Sequence, residues 1–129
     1  MRTLEVEDVI WRLAQLASAA FQDRYVVNGS VDSYFRDDEL LQDIDALEFR
    51  LFRPENANLL DEQQMAAVQK VLGEVRGFDW PAWQGSRSHH TVLTYPAWIQ
   101  LRLAANHALN TFGLDAERMT ASDVDAMGR

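Results

Sequence analysis

The apolar positions of this chain recur at helical spacing rather than in alternation. From Leu4 to Tyr25, Val6, Val9, Ile10, Leu13, Leu16, Ala17, Ala20 and Phe21 fall on one stripe at about 100° per residue. That pattern predicts a first helix with Thr3 as its N-cap and Glu5 and Glu7 in a first turn that favours acids. Trp11 points nearly opposite the stripe, toward solvent. The stretch "VVNGS" at 26–30 ends the element through the turn signal Asn28-Gly29.

A second helix is expected over Asp37–Phe52, preceded by a short extra turn beginning at Ser30 or Ser33. Pro54 stops it, because the residue before a proline is pushed out of the helical region. A third is expected over Leu60–Arg76, capped by Asn58, with Met65, Val68, Val71, Leu72 and Val75 inward and Gly77 as its stop. The fourth begins at Thr94 or Tyr95, with Pro96 in the first turn, and runs to Phe112 before a left-handed Gly113. Trp98, Leu101, Ala105, Ala108, Leu109 and Phe112 form its main stripe. Ile99 and Leu103 make it apolar on a second side, which predicts the most buried helix of the set.

The expected fold class is therefore all-α: one domain over 1–129, bundle-like, with four main helices. Residues 78–93, "FDWPAWQGSRSHHTVL", form a long irregular connection between the third and fourth helices, with an extended piece at Thr91–Thr94. The tail after Gly113 has room for a short helix or two, and residues 120–129 are expected to fray.

Composition narrows the function classes. The 129 residues carry 20 acids against 12 bases, a net charge of -8, which disfavours direct binding to nucleic acid or to an anionic membrane. A protein partner with a basic surface suits that charge better. Eleven of the twelve bases are arginine, a bias that genome composition explains as readily as function. With no cysteine, disulfides, thiolate metal sites and cysteine nucleophiles are excluded. The N-terminal "MRTLEVEDVIWRLAQL" places acids where a signal peptide needs an uninterrupted apolar run, and no segment has the length of a membrane span, so the cytoplasm is the expected compartment.

Catalytic signatures are lacking. His89 and His90 are adjacent and His107 lies far along the chain, without metal-ligand spacing, so no metal, cofactor or catalytic residue is assigned. "GSRS" at 85–88 reads as a flexible turn rather than a phosphate cradle. The aromatic cluster Phe78, Trp80 and Trp83 has two readings. It folds back to cap one end of the bundle, the ordinary fate of large aromatics, or Trp80 and Trp83 join Arg87 as an anchor for a partner.

The stretch "RDDELLQDIDALEFRLFR" at 36–53 is the most distinctive. Leu40, Ile44, Leu47 and Leu51 make a narrow core edge. Phe49 stands almost opposite, ringed by Asp38, Gln42, Asp45 and Arg53. Asp38 and Asp45 have no base between them, and Glu39 and Asp43 repel at i,i+4, so the acids are not arranged for helix stability alone. The expected partner-binding set is Asp38, Gln42, Asp45, Phe49, Arg53, Trp11, Trp80 and Trp83. It suggests a small acidic inhibitor or immunity (antidote) protein, not an enzyme, that occludes a basic site on a cognate toxin or enzyme. The alternatives are an adaptor or assembly subunit, with Ile99 and Leu103 as a homodimer seam, and a small enzyme using Asp79, His89 or His90.

Overall fold

The computed structural model describes residues 4–29, 37–86 and 91–127. Thr3, Ser30, Ser33, Arg87, His89 and His90, and the expectations attached to them, lie outside these residues. Among the described residues the regular structure is entirely helical, with no strand: α1 (Val6–Ala17), α2 (Ala19–Gln22), α3 (Asp37–Leu51), α4 (Glu62–Arg76), α5 (Trp80–Ser86), α6 (Pro96–Asn110) and α7 (Ala121–Ala126). The four expected helices correspond to the long ones, α1, α3, α4 and α6, but three shorter helices join them.

Packing explains why four dominate. Helix α1 packs on α3, α3 on α4, α4 on α6, and α6 back on α1, closing a ring of four around one core. The stripe of α3 turns Leu40, Leu41, Ile44, Leu47 and Leu51 inward, and α4 adds Ala67, Val68, Val71 and Leu72. Helix α6 contributes Trp98, Leu101, Ala105, Ala108 and Leu109. Its second apolar side is not buried: Ile99 is 37% and Leu103 is 59% exposed, because neither neighbour in the ring reaches that flank. Among the described residues no helix is long and apolar enough to cross a membrane.

The first expected helix is broken. Ser18 adopts an extended conformation (φ −90°, ψ 109°), and its hydroxyl accepts the N–H of Phe21 at 3.0 Å, making it the N-cap of α2. Serine competes for backbone partners in this way, and here it wins over helix continuation. The break leaves carbonyls at the end of α1 without helical donors. The buried amide of Gln22 replaces them, donating to the carbonyls of Gln15 (3.1 Å) and Leu16 (2.8 Å). A π-helical turn, Asp23–Val27, follows and brings Tyr25 and Val26 inward. Ala20, expected in the core, is exposed instead.

Arg102 on α6 locks this kink to the rest of the bundle. Its guanidinium donates to Gln22 Oε1 (3.0 Å) and to the carbonyls of Val92 (2.9 Å) and Leu93 (2.6 Å). Burial draws its pKa below the ordinary arginine value, but the group stays charged.

Other boundaries moved for local reasons. Asp61, not Asn58, caps α4, through a reciprocal box in which Gln64 N–H donates to Asp61 and Gln64 accepts from the Asp61 N–H. Residues 78–93 are not wholly irregular. Asp79 accepts the N–H of Ala82 at 3.0 Å, and Pro81 sits in the first turn of α5, where a missing N–H costs nothing. Thr91–Thr94 is a turn rather than an extended piece, since the N–H groups of Thr94 and Tyr95 both donate to the Thr91 carbonyl. At the end of α6, Gly113 has φ +81°, the left-handed geometry expected of it. In the tail, Thr120 caps α7 through a box with Asp123, and Val124 is fully buried.

Replacing Gln22 with leucine keeps the volume but removes both donors to α1 and the acceptor for Arg102. The variant is expected to lose about 1–3 kcal/mol of stability, measured as a lower urea midpoint at unchanged slope.

Candidate functional site

The site grows from two anchors, α3 and α5. Each helix has an inward side that fixes it and an outward side that is left to solvent. In α5 the anchor is Trp83, fully buried against Tyr95 (ring centroids 4.7 Å apart) and Trp98 (5.8 Å). Its indole N–H donates to Oδ2 of Asp37 at 2.8 Å. Asp37, in the first turn of α3, is itself only 4% exposed. The bond therefore pins the start of α3 to α5 and satisfies a buried N–H. It also removes Trp83 from the expected partner-binding set: its ring is core, and the cluster caps the bundle.

Trp80, three residues earlier, lies on the half-buried edge of the same helix, beside Phe78 (5.9 Å). It faces a pocket of about 300 Å³ between α3, the end of α4 and α5. Helix α3 lines it with Asp38, Leu41, Gln42 and Asp45, and Val75, Arg76, Phe78 and Trp80 complete the wall. Three of the acidic-face residues and one tryptophan, far apart in sequence, thus share one concavity. Arg76, at its lip, is ion-paired with Glu48.

Next to this pocket, Asp45, Glu48, Phe49, Phe52, Arg53 and Pro54 line a more open depression. Phe49 is 73% exposed, confirming its outward direction, and Phe52 is 49% exposed. The Arg53 guanidinium lies 4.9 Å from the Phe49 ring centroid, a cation–π arrangement that holds both side chains over the depression. Asp45 borders both concavities. The outer face of α3 is thus one continuous surface running from Asp38 to Arg53.

No family model matches the chain, and no curated protein or solved structure matches it either. The surface is read from its own chemistry.

Trp11 is not brought to this surface. It is half-buried on α1, with the Arg12 guanidinium 4.1 Å from its ring centroid, and its indole nitrogen is enclosed without a hydrogen-bond partner among the described residues. Arg12 turns instead to Asp43 on α3, at 2.8 Å. Phe52 and the Glu48–Arg76 pair were missed in the sequence, and Phe78 was read only as part of the aromatic cluster. Phe49 and Phe52 at i,i+3 share a helix face, so the second aromatic was legible there. Arg76 gave no such signal, because its part depends on how α4 meets α3.

Asp79 spends its carboxylate on capping α5. Among the described residues no group of three or more His, Asp or Glu side chains is placed to hold a metal ion. A second concavity, of about 330 Å³, lies on the other side of the bundle, where Ile99 and Leu103 meet Ala19, Ala20, Arg102 and Met119.

The anchor and the exposed aromatic should separate cleanly by stability. Phe49→Ala is expected to leave unfolding free energy within about 0.5 kcal/mol of the parent, whereas Trp83→Ala should cost about 3–5 kcal/mol. Thermal and urea unfolding followed by circular dichroism measures both.

Proposed function

We propose that the protein is a small acidic protein-binding protein, an inhibitor or immunity (antidote) protein that occludes a basic site on a cognate toxin or enzyme. The observation that carries this reading is Phe49, 73% exposed at the centre of a helix face whose opposite side is fully committed to the core. An aromatic held in the open costs solubility and returns nothing to the monomer's stability. At an interface it is the residue type that most often dominates binding. On the same face Asp38 and Asp45 supply acidic side chains, and a net charge of -8 extends the field beyond contact. Such a surface favours basic partners and speeds their approach. Rigid placement on a helix of a closed bundle limits the ordering cost of binding.

The test is capture of the partner from the native cell, its identification by mass spectrometry, and an assay of its activity with and without this protein. A basic enzyme or toxin domain inhibited at a 1:1 ratio is expected. The triple variant Asp38→Ala/Asp45→Ala/Phe49→Ala should weaken that complex about 100-fold or more, and the wild-type association rate should fall steeply with salt. Unchanged affinity in the triple variant would remove α3 from the interface.

A second reading, self-association as an assembly subunit, is favoured by the exposure of Ile99 and Leu103 on α6. It predicts a dimer by light scattering that Leu103→Glu converts to monomer. A monomer at all concentrations would exclude it.

A further inference from the structure

We propose that the pocket between α3 and α5 receives a single arginine side chain of the partner, its guanidinium laid against Trp80 and paired with Asp45. This deepens the assignment of α3 as the partner-binding face and rests on it. The pocket, of about 300 Å³, has room for one long side chain but not for a folded element. Its less exposed lining is mainly apolar and aromatic, with Leu41, Val75, Phe78 and Trp80 beside the partly buried Asp38. An occupant must therefore present an apolar or planar body and give up much of its hydration.

The rim asks for a donor. Asp45 and Gln42 are both exposed, and neither makes a hydrogen bond or ion pair among the described residues. Arg76 does not fill this demand, because its guanidinium is committed to Glu48. A purely apolar side chain would cover this lining but desolvate Asp45 without compensation. A carboxylate would be repelled by it. Lysine brings a positive charge, but as a compact, strongly hydrated ammonium that gains less from an aromatic lining. Arginine matches both parts. Its guanidinium is planar and weakly hydrated, stacks on an indole, and presents two parallel N–H groups to a carboxylate.

The experiment uses the whole ¹⁵N-labelled protein and three blocked tripeptides, Gly-X-Gly, in which X is arginine, lysine or citrulline. Citrulline keeps the shape of arginine without its charge. The Trp80 indole N–H resonance, assigned with Trp80→Phe, is followed through each titration. The arginine peptide is expected to shift it saturably in the millimolar range, with affinity about fivefold or more above the lysine and citrulline peptides. Asp45→Asn, an exposed substitution, should lower the arginine affinity by a similar factor while the other indole resonances keep their positions. The proposal is overturned if the Trp80 signal does not move, if citrulline or lysine binds as well as arginine, or if Asp45→Asn has no effect. These outcomes are separable from failure of the broader reading. If the α3 triple alanine variant loses its partner while the Trp80 signal ignores arginine, the face stands and the pocket falls.

Discussion

A single buried hydrogen bond, from the Trp83 indole to the Asp37 carboxylate, sets the relation on which the candidate surface depends. A buried carboxylate is costly unless it is paired, and so is a buried indole N–H. Each answers the other. Asp37 also lies in the first turn of α3, where the exposed N–H groups of the helix favour a negative charge. Because Trp83 packs edge-on against Tyr95 and Trp98, the same bond ties α3 and α5 to the start of α6. Trp80 and the acidic face of α3 are thereby held on opposite walls of one pocket.

The other end of the logic is the kink at Ser18. A continuous helix to Tyr25 would carry Ala20 inward and leave no reason to bury Gln22. Breaking it exposes Ala20, and the last carbonyls of α1 then need donors. Gln22 supplies them from the side chain, and Arg102 joins Gln22 to the turn before α6. A polar network of this kind is stabilising only when its members are satisfied together. It holds α1 and α6 in register within the ring of helices, and so supports the opposite side of the bundle on which α3 presents its surface.

Helix α3 divides its chemistry by face. Its buried side is aliphatic apart from Asp37, and its outer side carries the exposed Phe49 together with Asp38, Gln42 and Asp45. The Glu48–Arg76 and Arg12–Asp43 pairs sit on its flanks and link it to α4 and α1. Partly exposed pairs add little stability. What they do is occupy Asp43 and Glu48, while Asp45 between them stays exposed. An aromatic centre, acidic side chains beside it and a neighbouring aromatic pocket are the features on which the proposed recognition of a basic protein surface rests.

Local sequence determined the helical class, the extent of α3 and α6 to within about two residues, the stops at Pro54 and Gly113, and the outward direction of Phe49. Each follows from periodicity or backbone chemistry confined to one or two turns. Only the tertiary structure decided that Trp83 is core while Trp80 lines a pocket, that Asp37 is buried while Asp45 is open, and that Ile99 and Leu103 stay exposed. Periodicity says which residues share a face, but not which face finds a neighbour. Trp80 and Trp83 are three residues apart and chemically identical. Their different fates come from α5 docking on α3 and α6, a contact between segments far apart in sequence that no local pattern encodes.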